Sequence, residues 1–245
     1  MKMKLLAVLL SAVCAGLQAA EVAGAGVPAA ASAASGVDPA ADTAKLQEAA
    51  ALIRAHQPQA AIDRVLDPLI AAQEAENANR KEAVYCANSP AESLYYMVRA
   101  AVDHQSAIAL PGTWCTALYL RGYAQTDLGK LQAAEADYTR AVALSPSNPQ
   151  YLSEMGQLQL LKREWNAALS WFHRAEAAYR FAGPEQADAE LGHALRGIGY
   201  ADVELGKLDE AEAAYRRCLQ IDANDEKAKA ELGYVRDLKA KQAGK

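Results

Sequence analysis

The stretch RGYAQTDLGKLQAAEADYTRAVALSP (Arg121–Pro146) is followed by MGQLQLLKREWNAALSWFHRAEAAYR (Met155–Arg180), and the two agree column by column at a spacing of 34 residues. Gly122 returns as Gly156, Ala134 as Ala168, Tyr138 as Phe172 and Ala141 as Ala175. A third copy, IGYADVELGKLDEAEAAYRRCLQIDA (Ile198–Ala223), keeps the same internal offsets with Gly199, Ala211, Tyr215 and Cys218. A period in this range, with small and aromatic residues in fixed columns, predicts stacked helical hairpins. Glycine inside a helix costs about 0.5–1 kcal/mol relative to alanine. Three in register therefore need a packing reason, two helices crossing too closely to admit a side chain. Ala134, Ala168 and Ala211 are expected to face those glycines from the second helix. Tyr138, Phe172 and Tyr215 are expected to fill the gap between one hairpin and the next.

These three segments resemble the tetratricopeptide repeat, a 34-residue pair of antiparallel helices. The resemblance implies an all-α fold, a right-handed superhelix of stacked antiparallel helix pairs, with repeats at 115–148, 149–182 and 192–225 and a capping helix at 226–241. Gly129 and Gly206 stand where a first helix ends and a left-handed residue is wanted. Arg163 occupies that column in the middle copy, which predicts a differently closed turn there. Pro146 stops the second helix of the first copy, whereas Arg180 and Ala223 stand in that column in the others, so the helix near Phe181 is expected to run on. The glycine interval grows from 34 to 43 residues between Gly156 and Gly199, giving a longer helix pair around a Gly183-Pro184 turn.

The chain has 245 residues, 52% of them apolar, but only two Phe and three Trp. That composition suits thin stacked helices better than a sandwich or barrel. Met1 to about Ala20 reads as a secretory signal peptide: Lys2 and Lys4, an apolar run from Leu5 to Leu17, then small residues. The run is too short to cross a bilayer at roughly 20 residues. Cys14 invites a lipoprotein reading, against which stands the bulk of Val13. Removing the leader takes away two lysines and no acid, so the formal charge moves from −5 to −7. An acidic balance argues against nucleic acid or anionic lipid as partner. The expected location is outside the cytoplasm, in the periplasm, with secretion as the alternative.

Residues 21–41, rich in Ala, Gly, Ser and Val, read as a flexible tether. Residues 42–114 read as degenerate helical repeats. Ala49, Ala61 and Val65 reproduce the offsets of 12 and 16, so a hairpin is expected there, kinked at Pro68. Asn88-Ser89-Pro90-Ala91-Glu92 is a helix start with Ser89 as cap and Glu92 completing a capping box. That helix is expected to run to Leu110, because AIAL (107–110) lies 34 residues before AVAL (141–144). Such a helix would be roughly 30 Å long with Cys86 and Cys115 at opposite ends, which argues against a disulfide between them, since that bond needs Cα atoms within about 7 Å. An unpaired Cys86 beside Tyr85 then reads as either a reactive thiol or a loop anchor. Cys218, in the column of Ala141 and Ala175, reads as a small core residue.

No catalytic constellation emerges. His56, His104, His173 and His193 are scattered, with no metal-ligand spacing. Gly197-Ile198-Gly199 lacks the third glycine of a nucleotide loop. No cofactor and no metal are expected, and enzyme activity is not. In repeats of this kind the first helix of each hairpin lines a concave groove, so the resemblance nominates Tyr119, Tyr123 and Asp127; Ser153, Gln157 and Leu161; Arg196, Tyr200 and Glu204; and Tyr234. Tyrosines there would give amphipathic contact area at low entropic cost. The alternative is that they seal helix contacts. Relatives that grip a chaperone's terminal carboxylate use lysine and asparagine on these helices, where this chain has Tyr119 and Tyr123, with only Arg196 as a matching charge. The expected role is a non-catalytic scaffold of the cell envelope binding an unknown protein or peptide. A self-associating structural repeat protein, in the form of a homo-oligomer, and an accessory subunit of an envelope enzyme are the alternatives.

Overall fold

The computed structural model describes residues 39–243, so the expected leader and the tether up to residue 38 lie outside the described residues. Helix α1 (Pro39–Arg54) begins inside the stretch read as tether. It packs against α2 (Pro58–Ala61) and a π turn (Ile62–Leu66), and Gln73 of α3 (Asp67–Asn77) donates to its Asp42 at 3.3 Å. Pro68 has no N–H and its ring would collide with the carbonyl four residues back. The chain accommodates it by widening the ladder, with Asp67 N donating to Ile62 O. Ala49, Ala61 and Val65 are buried at the centre of this first hairpin.

The segment that follows departs from the expected run of helices. Strand β1 (Ala83–Ala87) leads to α4 (Pro90–Val102), and the chain returns as β2 (Ala107–Pro111), parallel to β1 with Ala83 opposite Ala107 and Cys86 opposite Leu110. The start of α4 is as expected in part: Ser89 Oγ accepts from Glu92 N at 3.1 Å. Glu92 reaches back one residue further than a capping box requires, to Asn88 N at 2.7 Å. The expected extension to Leu110 fails because His104, at φ 53°, closes the helix. AIAL is then a strand: four apolar residues carry no period that separates helix from strand.

This return corrects the cysteine argument. With no long helix between them, Cys86 and Cys115 are both buried and joined in a disulfide, Cα to Cα 6.2 Å. Cys86 is neither a reactive thiol nor a loop residue. Cys218 is buried and unpaired, as a core residue.

Three hairpins continue the stack: α5 (Thr113–Asp127) with α6 (Leu131–Leu144), α7 (Pro149–Leu161) with α8 (Trp165–Ala178), and α9 (Ala187–Glu204) with α10 (Leu208–Ile221). Helix α11 (Glu226–Ala243) packs on α10. A 3-10 turn (Tyr179–Ala182) prolongs α8 past Phe181, and Gly183 breaks it at φ 86°. A side chain on Gly122 would come within 2.7 Å of Tyr138, on Gly156 within 2.8 Å of Phe172, and on Gly199 within 2.6 Å of Tyr215. The nearest neighbour of each crossing glycine is thus the aromatic ring of its own hairpin rather than the alanine. Phe172 also fills the space beside Gly197, 2.3 Å from where a Cβ would sit. One ring therefore occupies two glycine slots, in its own hairpin and the next.

Arg163 does not close its turn differently. Gly129, Arg163 and Gly206 lie at φ 71°, 61° and 76°. The bonds correspond: Lys130 N to Gln125 O, Glu164 N to Gln159 O and Lys207 N to Asp202 O, each running back five residues. His56 and His104 close α1 and α4 the same way, through Gln57 N to Leu52 O and Gln105 N to Ala100 O. The bond pattern that satisfies the terminal carbonyls outweighs the left-handed penalty of about 1–2 kcal/mol for a residue with a Cβ. Among the described residues no helix is long and apolar enough to cross a membrane.

Candidate functional site

Successive first helices α5, α7 and α9 lie side by side, and the residues nominated for the groove divide between surface and interior. Tyr119 is 3% exposed and Ser153 is fully buried. Tyr119 stacks on Tyr151 at 5.4 Å between ring centroids and accepts from Gln150 Nε2 at 3.2 Å. Tyr200, 7% exposed, meets Trp165 edge-on at 6.4 Å. For these three the sealing role replaces the ligand-facing one. Each lies where the neighbouring hairpin packs on its helix. Tyr123, Gln157 and Leu161 are half-buried, while Asp127 and Glu204 are exposed. Tyr234 is 41% exposed, on α11.

Arg196 turns away from the tyrosines. Its guanidinium donates to Asp225 at 2.6 Å, and Asp225 also caps α11 by accepting from Ala228 N at 3.0 Å. Arg196, Cys218 and Lys227 line a cleft of about 600 Å³ between α9, α10 and α11, together with acidic Asp188, Asp222 and Glu226. Arg196 therefore ties α9 to the closing helix instead of offering charge to a groove.

Residues that the sequence reading passed over make the electrostatic centre of this face. Glu154 on α7 is 5% exposed, and its Oε1 has no hydrogen-bond partner among the described residues. Glu190 on α9 likewise has a buried, unpartnered Oε2. Burial first, then the charges of Glu190 and Asp127, push the Glu154 carboxyl up to about 8. Burial raises Glu190 to about 7. The charge of Glu154 in turn adds to burial in raising the phenols of Tyr119 and Tyr138. His193, 3.3 Å from the Gln157 side chain, is held down to about 4 by burial and by Arg196 and Lys227, and so stays neutral. The signal in the sequence was available: Glu154 stands in the repeat column of Leu120 and Gly197, where a carboxylate is out of place.

A second buried carboxylate shows what a satisfied one looks like. Glu92 Oε1 accepts from Tyr96 Oη at 2.6 Å and Ser145 Oγ at 2.7 Å, while Oε2 holds Asn88 N. Asn88 Nδ2 donates to Tyr151 Oη at 3.1 Å, and Ser89 Oγ to Phe181 O at 3.1 Å. These bonds fasten the β1–α4–β2 unit to α6, α7 and the end of α8. Their role is structural. Among the described residues no group of His, Cys, Asp or Glu is arranged to hold a metal.

Residues 116–148 and 191–225 match the family model of the tetratricopeptide repeat. The cell division cycle protein 16 homolog of Homo sapiens is 26% identical over 116 residues, 47% of this chain and 18% of that protein. The Mus musculus homolog matches to the same extent, so the chain spans under a fifth of the length of these relatives. Among solved structures, the first tetratricopeptide domain of human RPAP3 is 24% identical with a TM-score of 0.47, covering 53% of this chain and 95% of that one. The Sgt2 tetratricopeptide domain from Aspergillus fumigatus is 20% identical with a TM-score of 0.45, covering 53% and 81%.

Proposed function

We propose that this repeat protein is an exported, non-catalytic scaffold that holds a peptide or protein segment against the face formed by α5, α7 and α9, serving an assembly of the cell envelope. The observation that carries the reading is the set of half-buried and exposed polar, aromatic and aliphatic side chains, Tyr123, Asp127, Gln157 and Leu161, on adjacent first helices. Side chains of this kind on a rigid element give contact area without a large ordering cost. Export is supported by the charged and apolar start of the chain. It is supported also by the Cys86–Cys115 disulfide, a bond that persists in oxidising compartments. The test is a pulldown from envelope extract with the mature chain and with a Tyr123→Ala, Gln157→Ala variant. Loss of the same captured proteins from the variant is expected, with its helical signal retained. Identical capture by both would remove the groove from the account.

A second reading rests on a different surface. Leu94, Val98 and Val102 follow one another at four-residue intervals on α4 and are 66, 53 and 67% exposed. A stripe of that kind favours self-association. Light scattering of the purified chain, with Val98→Glu as the control, separates a dimer from a monomer.

A further inference from the structure

Glu154 and Glu190 are unusual in what they lack. A buried carboxylate oxygen without a donor costs the chain its desolvation energy, and native proteins almost always satisfy such atoms. Glu92 demonstrates that this fold can supply donors when a carboxylate is structural. Glu154 Oε1 and Glu190 Oε2 are given none, although α7 and α9 are adjacent and polar residues lie close by. The nearby positive groups are otherwise engaged. Arg196 is paired with Asp225, and His193 is neutral and beside Gln157. Two buried carboxyl oxygens on neighbouring helices thus lack donors, the charge of Glu190 is felt at Glu154, and that of Glu154 at the phenols of Tyr119 and Tyr138, with Tyr123 half-buried and Asp127 exposed on α5.

We infer that this place receives the cationic end of a lysine or arginine side chain carried by the bound segment. The inference rests on the peptide-binding role proposed above and names the chemistry of its central contact. An inserted ammonium or guanidinium supplies the donors that both orphaned oxygens lack, and a charge-assisted bond of this kind is about twice as strong as a neutral one. A bare metal ion is a poorer match, since the described residues contain no third ligand group at metal-binding spacing. Burial holds both carboxyls toward their protonated form while the site is empty, so the arriving cation gains its charge partners as their protons leave to solvent.

The test is a selection of random heptapeptides displayed on phage against the mature chain, followed by fluorescence polarisation of the winners. Selected peptides are expected to share one Lys or Arg. Replacing it by norleucine or citrulline is expected to weaken binding at least tenfold. Glu154→Gln and Glu190→Gln are each expected to weaken binding to a similar degree, and the effects of changing protein and peptide together should not add. Both substitutions keep shape and volume, and circular dichroism checks the fold. The peptide-side replacement tests the contact on the unaltered protein. Winners that depend on Tyr123 but carry no basic residue, or that tolerate norleucine, overturn the inference and leave the peptide-binding role standing. A selection that returns no binder overturns both.

Discussion

Consider Gly156→Ala beside Gly233→Ala, two identical substitutions at glycines on helices, the second on the closing helix α11 and 34 residues after Gly199. In an open helix this change stabilises by about 0.5–1 kcal/mol, since alanine loses less backbone freedom on folding. At Gly233 nothing lies within 4 Å of the new Cβ, so the full gain is expected. At Gly156 the Cβ meets three atoms of the Phe172 ring at 2.8–2.9 Å, well inside the carbon–carbon optimum of about 3.5–4.0 Å. The ring is fully buried, and the same ring edge also fills the slot beside Gly197, which leaves it little room to withdraw. Overpacking of a core costs about 1–3 kcal/mol. The larger half of that range, about 2–3 kcal/mol, applies here, and after the helical gain of about 0.5–1 kcal/mol the net loss is about 1–2.5 kcal/mol. Urea unfolding followed by circular dichroism, extrapolated to water, reads both values at unchanged m. A Phe172→Leu background should relieve the clash and bring the Gly156→Ala penalty close to zero. If Gly156→Ala instead stabilises as much as Gly233→Ala, the glycine columns are not crossing points, and the packing account of the repeat is wrong.

Other expectations follow from the same structure. Reducing the Cys86–Cys115 bond, which closes a separation of 29 residues, should cost about 3–4 kcal/mol by chain entropy, read as a lower midpoint in dithiothreitol that a Cys86→Ala, Cys115→Ala variant reproduces without reductant. Arg163→Gly should stabilise by about 0.5–1 kcal/mol, because glycine meets no penalty at φ 61°; a loss would mean that the arginine side chain itself holds the turn. Glu154 keeps its proton up to about pH 8 in the folded chain against an ordinary 4.5. Between those values the folded state binds the extra proton, so stability falls as pH rises, by on the order of a few kcal/mol in all. Glu154→Gln should therefore be more stable than the parent at pH 9 and equal to it at pH 5, and a difference that ignores pH would refute the burial argument.

The repeat region was legible because its signal is redundant: a glycine, an alanine and an aromatic recur together, and chance does not align them. Where one residue carried the signal alone, it misled. Arg163 looked like a broken turn, yet the closing bonds are made by backbone groups, which the side chain does not alter. AIAL looked like a displaced helix because a four-residue apolar run has no measurable period, and the disulfide was then misjudged from a helix length that does not exist. The groove residues suffered from a different limit. Tyr119 and Tyr123 are one turn apart on the same helix and the same in chemistry, but the neighbouring hairpin covers the first and leaves the second partly open. That depends on how successive hairpins are stacked, which no spacing within a single helix encodes. Glu154 was hidden among many acidic residues whose ordinary fate is a solvated face.

The covalent bond between Cys86 and Cys115 makes the inserted strand–helix–strand unit a closed ring in an otherwise linear stack. A protease that cuts once within that ring, for instance on the exposed side of α4, opens the backbone without releasing either part. The first hairpin would travel with the three later ones on a non-reducing gel and separate from them only after a thiol is added. Damage at α4, which exposes Leu94, Val98 and Val102, can therefore be silent by mass under oxidising conditions, and the scaffold can stay assembled after its chain has been broken.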